Sequence, residues 1–208
     1  MGQDKLWCDV GGRPLVALTL AALTSGELFD MVVIAAPRER WVELGALARA
    51  GGIGDVRLVD GGERRQDSVR SALEACAGAA WVCVHDAARP LVTAELAQRV
   101  LEAAQETGAA TAAVPCVDTI KLVQEGRVLR TLDRSQLIAT QTPQAFAADV
   151  LQRAHAAAVA ECVAGDDDAF LVERLGVPVA VVEGDPGNIK VTYEQDLALL
   201  RVLRGAPA

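Results

Sequence analysis

Two side chains three residues apart, Asp86 and Arg89, stand in the segment Val84-His85-Asp86-Ala87-Ala88-Arg89-Pro90, directly after a short apolar run from Trp81 to Val84. A carboxylate can hold a hard cation, and a guanidinium can fork onto phosphate. The pair could therefore bring a metal ion and a phosphorylated ligand to one place. The same two residues could equally form a surface ion pair behind a core strand, and position alone leaves both readings open. A second polar stretch, Asp60-Gly61-Gly62-Glu63-Arg64-Arg65-Gln66-Asp67-Ser68, also follows a short apolar run. Its glycines would let backbone N–H groups approach a ligand, although most Gly-Gly turns only connect elements. Asp166-Asp167-Asp168 reads as a capping, solvated helix start rather than a metal site. Lys5 by itself reads as a solvated charge near the N-terminus.

These residues need a scaffold. Met31–Ala36, residues 56–59, Trp81–Val84, residues 109–114 and residues 177–182 are short, non-alternating apolar runs, as expected of strands buried on both faces. Helical stretches alternate with them. Pro14 opens one carrying Leu15, Leu18, Ala22 and Leu23 on its apolar face, ended or interrupted at Ser25-Gly26. Others are expected over Trp41–Ala50, over residues 67–77 with Asp67 or Ser68 near the cap, and over 94–106 with Thr93 as cap. Residues 148–163, a stretch to Leu175 opened by Asp166 or Asp167, and residues 193–203 complete the set. The pattern predicts one α/β domain: a mostly parallel (mixed) sheet with helices on both faces. In such sheets ligands bind beyond the carboxyl ends of the strands, which places Asp86 and Arg89 on the rim of a crevice.

From Asp118 to Arg134 the pattern changes. Apolar and polar residues roughly alternate on either side of Gln124-Glu125-Gly126, the signal of a β-hairpin arm at about residues 116–136. A two-stranded ribbon is marginal alone in water. It must pack on something, and a second subunit is the natural candidate.

Composition narrows the function. The chain has 208 residues, 51% of them hydrophobic, and a net charge of −8. That balance, with no Lys/Arg cluster, argues against nucleic acid as the main ligand but not against a small phosphorylated substrate. No apolar run is long enough to span a membrane and no secretion signal is visible. Cys8, Cys76, Cys83, Cys116 and Cys162 are odd in number and scattered, with no zinc or redox spacing. Cys83 reads as a small hydrophobe inside a strand. The expected compartment is reducing cytoplasm.

Six segments taken in order resemble one family: Asp60-Gly61-Gly62-Glu63-Arg64-Arg65-Gln66-Asp67-Ser68-Val69, Val84-His85-Asp86-Ala87-Ala88-Arg89-Pro90, Asp118-Thr119-Ile120-Lys121, Leu132-Asp133-Arg134, Gln141-Thr142-Pro143-Gln144 and Gly187-Asn188-Ile189-Lys190-Val191-Thr192. They look like the successive motifs of the 2-C-methyl-D-erythritol 4-phosphate cytidylyltransferases, and the similarity runs from Met1 to the last helix. The resemblance implies a Rossmann-like fold and an arm exchanged across a homodimer. It implies an enzyme that joins CTP and methylerythritol phosphate, releases pyrophosphate and serves isoprenoid precursor synthesis with Mg²⁺. On matching positions it makes Lys5 and Lys190 the lysines at the reacting phosphates. Gly62, Glu63 and Ser68 would lie around the cytosine and ribose. Asp86 would lie at the junction of Mg²⁺, ribose and sugar phosphate, with Ala87 beside the ribose. Arg89, Thr119, Arg134 and Thr142 would contact the acceptor, Thr119 and Arg134 across the dimer.

Two departures accompany the resemblance. Met1-Gly2 falls just after the place where the family has its first strand, an Ala-Ala-Gly-type phosphate loop and an arginine. The expectation is a chain whose true start lies upstream; a weakened or dead enzyme is the other possibility. Asp166 stands where relatives often have a threonine contacting substrate, and a carboxylate there would repel phosphate. Ribitol-5-phosphate cytidylyltransferase, similar in its CTP half, is the rival enzyme reading, and a nucleotide-binding dimer without turnover is the rival of another class.

Overall fold

The computed structural model describes residues 3–25, 28–52 and 54–205. Met1-Gly2, where the departure from the family begins, and Gly26, read as a helix stop, lie outside the described residues. In chain order the elements are α1 (Leu15–Thr24), β1 (Met31–Ala36), α2 (Trp41–Ala50), β2 (Asp55–Asp60), α3 (Arg65–Ala75), β3 (Trp81–Val84), α4 (Ala94–Thr107), β4 (Ala109–Pro115), β5 (Lys121–Gln124), β6 (Arg127–Thr131), β7 (Ile138–Ala147), α5 (Ala148–Ala160), α6 (Asp168–Glu173), β8 (Ala180–Glu183) and α7 (Glu194–Leu203). A 3₁₀ turn, Gln3–Trp7, precedes α1.

The sheet is mixed. β1 pairs with β2 in parallel, and a four-stranded sheet has the order β3-β7-β4-β8. In it β4 and β8 are parallel, while β7 runs antiparallel to both β3 and β4. Strands β3, β4 and β8 therefore share one direction and end on one edge. Among the described residues no ladder joins β1 and β2 to the four-stranded sheet. The antiparallel share comes from β7, which the sequence does not announce as a strand: Pro143 lies inside it, and proline in a run argues against a central strand. The pairing tolerates it through an irregularity. Between Thr111 and Ala113 of β4 the partners on β7 jump from Gln144 to Thr140, so Gln141, Thr142 and Pro143 are looped out of register. Such bulges re-aim side chains.

Helices cover both faces of this sheet. Leu96, Val100 and Ala104 of α4 pack with Ala110, Ala112 and Ala145 on one side. Leu151, Ala154 and Ala158 of α5 with Leu171 and Val172 of α6 pack with Ala109 and Phe146 on the other. Neighbouring residues Ala145 and Phe146 thus serve opposite faces, as strand alternation requires. Helix α1 is shared: Leu15 and Leu18 meet Val191, Leu197 and Leu200 near α7, while Val16 and Leu20 meet Ala36, Leu44 and Ala48 beside β1 and α2.

Local chemistry sets the helix starts. Thr93 caps α4 by accepting from Leu96 N–H, and Asp167 caps α6 by accepting from Phe170 N–H, as their side chains predict. Helix α3 begins earlier than expected, at Arg65, and its N-cap Arg64 supplies no side-chain cap. Asp67 instead lies in the first turn, where it forks with Arg64 at 2.9 and 3.0 Å. The hairpin β5–β6 is solvent-exposed along its whole length, with Val123, Val128 and Leu129 each more than half exposed.

Candidate active site

Asp86 lies two residues beyond the end of β3, and three cations converge on its carboxylate. Arg65 Nε, from the first residue of α3, is 3.0 Å from Oδ1. Lys190 Nζ, from the segment between β8 and α7, is 2.8 Å from Oδ2. Arg89 Nε stands farther off, at 3.9 Å. Burial pushes the Asp86 carboxyl up, but Arg65 and Lys190 outweigh it and bring its pKa down to about 2. Asp86 is thus ionised at neutral pH, at the strand-end edge of the sheet.

A neutral chain holds its backbone. Asp86 N–H donates to Thr142 Oγ1 at 3.0 Å, and Thr142 Oγ1 is 3.1 Å from His85 Nδ1. His85 Nε2 is 3.1 Å from the Arg89 carbonyl, which only accepts, so Nε2 carries the proton and Nδ1 accepts from the Thr142 hydroxyl. Protonating Nδ1 would break that link. Burial pushes the His85 pKa down to about 4, the direction this geometry requires. Thr142 reaches the position because it lies in the looped-out stretch of β7.

The other expected residues fall into three groups. Gly62 and Ser68 face each other across the turn after β2, Gly62 N–H donating to Ser68 Oγ at 3.0 Å, with Glu63 exposed beside them. A Cβ on Gly62 would collide with Asp67 Cβ, so the tight return of the turn onto α3 requires glycine. Ala87 turns its carbonyl toward Thr19, whose hydroxyl donates to it at 2.7 Å. Arg89 is only 9% exposed, and its guanidinium donates to Asn188 O at 2.7 Å and Thr140 O at 3.4 Å. It clamps the β7 loop-out to the Lys190 segment.

Lys5, Thr119 and Arg134 stand apart. Lys5 is half-buried in the first 3₁₀ turn, and its charge acts on Asp196 of α7. Thr119 and Arg134 are exposed at the foot of the arm, where Arg134 donates to Val117 O at 2.7 Å. Among the described residues no ion pair or hydrogen bond of this chain ties these three to Asp86. Asp166 is not buried with the neighbouring Asp168.

Three residues of this network, Arg65, Asp168 and His155, are not singled out by the sequence. Arg65 stands inside a motif with no role of its own there. Asp168 reads as solvated but is 1% exposed, with Oδ2 2.7 Å from Arg65 and Oδ1 2.9 Å from His155. The available signal is His155 itself, a lone imidazole on an alanine-rich helix that needs a buried partner.

Among the described residues no group of three or more His, Cys, Asp and Glu gathers as a metal cage, and no helix is long and apolar enough to cross a membrane. A cation that arrives with phosphates needs only one protein carboxylate, and Asp86 Oδ2, shared with a partly exposed lysine, suits that requirement.

An acid and its cations at the strand-end edge of an α/β sheet, with a Gly-Gly turn leading into the helix that carries one of them, suit a phosphate-handling transferase of the nucleotidyltransferase class. The sequence profile of the 2-C-methyl-D-erythritol 4-phosphate cytidylyltransferases matches residues 1–203. The chain is 43% identical over 199 residues to the protein of that name from Bacillus mycoides, covering 95% of this chain and 88% of that one. It is 46% identical over 205 residues to the one from Symbiobacterium thermophilum, covering 97% and 85%. The crystal structure of the protein of the same name from Thermus thermophilus superimposes with a TM-score of 0.80 at 38% identity over 99% of this chain and 96% of that one. The chain belongs to the 2-C-methyl-D-erythritol 4-phosphate cytidylyltransferase family.

Proposed function

We propose that the protein joins CTP and 2-C-methyl-D-erythritol 4-phosphate into the CDP-linked methylerythritol, releasing pyrophosphate, in isoprenoid precursor synthesis. The observation that carries the reading is the Asp86–Lys190 pair at the strand-end edge, within a chain matched by the family over nearly its whole length. A phosphate oxygen of the acceptor attacks the α-phosphorus of CTP in line, and pyrophosphate leaves with the electrons of the broken P–O bond. The protein supplies alignment and positive charge rather than a covalent nucleophile. Lys190 turns from Asp86 to the phosphates, and Lys5 adds charge from the N-terminal side. Gly62, Glu63, Ser68 and Ala87 hold the cytosine and ribose. Arg89 and Thr142 shape the acceptor side and Thr119 and Arg134 reach it from the arm of a second subunit. Asp86 would hold a Mg²⁺ ion, which would supply further positive charge to the phosphates.

The same reading makes residues 1–208 one transferase domain with an arm insertion at about 116–136. A homodimer accounts for the arm: among the described residues, its apolar side chains find little cover within this chain. The cytoplasm suits the thiols of Cys76, Cys83, Cys116 and Cys162, the second pushed up to about 12 by burial.

The test is pyrophosphate release by purified protein from CTP with methylerythritol phosphate, with ribitol 5-phosphate as a parallel acceptor. Turnover on the first, abolished by EDTA and restored by Mg²⁺, supports the reading. Preference for ribitol phosphate, or CTP binding without turnover on either, sinks it.

A further inference from the structure

Asp86 is not held by its own segment alone. Its Oδ1 is taken by Arg65 Nε at 3.0 Å, while Arg65 Nη1 reaches Asp168 Oδ2 at 2.7 Å. Asp168 opens α6 and is almost wholly buried; its second oxygen lies 2.9 Å from His155 Nε2 on α5. His155 is also buried, and because a carboxylate only accepts, its Nε2 carries the proton. The result is a line His155–Asp168–Arg65–Asp86–Lys190, drawn from α5, α6, α3, the end of β3 and the segment after β8. Its outer end is fixed in the core, and its inner end is a lysine with 43% of its side chain exposed.

The two cations closest to Asp86 differ in kind. Lys190 is a flexible ammonium on a single oxygen, free to leave for a phosphate. Arg65 is a planar fork whose other nitrogen is pinned to a buried carboxylate, so it cannot follow. A buried carboxylate at Asp168 is costly unless paired, and the sequence places it where the capping of α6 is already done by Asp167. Its partners, not the helix, account for it.

Resting on the cytidylyltransferase reading, we propose that Arg65, anchored by Asp168 and His155, is the positioning residue that keeps the Asp86 carboxylate fixed in place when Lys190 leaves it for the substrate phosphates. Arg65 acts through Asp86 and need not touch substrate. Without the anchor, the Asp86 carboxylate would lose one of its two close charged partners at the moment the other departs.

The experiment compares wild type, Asp168→Asn and the double variant Arg65→Gln/Asp168→Asn, which replaces the buried charges by amides able to hydrogen-bond each other. Thermal melting reports folding, carboxyl ¹³C NMR at pH 7 reports the shift and line width of the Asp86 resonance, and steady-state kinetics separates kcat from KM. In the double variant the Asp86 resonance is expected to shift and broaden, and kcat to fall about tenfold to a hundredfold with KM for CTP changed less than about threefold. Asp168→Asn, which frees Arg65 from its anchor, is expected to lower kcat while Arg65 remains. Arg65→Lys serves if the double variant does not fold: it keeps the charge but not the two-carboxylate fork, and a fall in kcat with an unshifted KM is expected. An Asp86 resonance and a kcat unchanged in a folded double variant, or in Arg65→Lys where that one replaces it, overturn the proposal. The NMR spectrum needs no turnover. A shifted and broadened Asp86 resonance in variants of a protein inactive even as wild type supports the anchoring and defeats only the cytidylyltransferase reading.

Discussion

The Lys190 ammonium lies 2.8 Å from Asp86 Oδ2 while 43% of its side chain stays exposed. An ion pair made of one sheltered anion and one accessible cation is a lysine held in readiness. Arg65 Nε, 3.0 Å from Asp86 Oδ1, is a second charged partner of the same carboxylate.

Lys190→Ala is therefore expected to lower kcat by about 10²–10³, with a smaller rise in KM for CTP, because the charge is needed where negative charge develops. The fold should survive, since Arg65 still pairs Asp86. Initial-rate kinetics with a thermal melt checks this, and a rise confined to KM would assign Lys190 to ground-state binding.

Acid stability should be governed by His85 before Asp86. The folded His85 pKa is lowered from 6.5 to about 4, so the unfolded chain takes up the proton first as pH falls. Stability is lost progressively between those values. The folded Asp86 pKa is lowered from 3.8 to about 2, so its contribution is present above 3.8 and disappears as pH falls toward 2. Urea unfolding at pH 7, 5.5 and 4.5 should show a loss that His85→Gln reduces; equal slopes in both proteins would exclude His85 as the cause.

Gly62→Ala should destabilise by about 1–3 kcal/mol, because the new methyl collides with Asp67 Cβ and comes within 2.9 Å of its backbone carbonyl carbon. The turn must move away from α3, carrying the Gly62–Ser68 contact with it. Lower thermal stability with a raised KM for CTP is expected; a wild-type melt would show that the turn relaxes freely.

The arm gives a prediction about assembly. Val128 is 62% exposed and Leu129 61% exposed on a ribbon with little else to rest on. Light scattering at micromolar concentration should report a dimer, and Val128→Asp should shift it toward monomer with loss of turnover. A wild-type monomer would remove Thr119 and Arg134 from any shared site.

Much of the fold is legible in the chain. Short apolar runs bounded by polar turns locate β1 and β3 to the residue, although both strands are mostly half-buried rather than buried on both faces as such runs predict. Thr93 and Asp167 announce their helices, since capping is a contact over three residues. Alternation around Gly126 exposes the arm. Strand β7 is not legible: its pattern is broken by Pro143 and by the looped-out residues, and only pairing with β3 and β4 makes it a strand.

The sequence by itself determined the order of the elements other than β7, the arm and the candidates Asp86, Gly62 and, through the family's motifs, Lys190, because local periodicity and local motifs are written in neighbouring residues. Only the tertiary structure decided what Asp86 touches. Arg65, Asp168 and His155 come from three helices, and Thr142 comes from a strand whose irregularity aims it at the Asp86 backbone. Each of these contacts spans residues that no periodicity relates. Their charges became a site because the sheet brings its strand ends to one edge and burial makes every unpaired charge there costly.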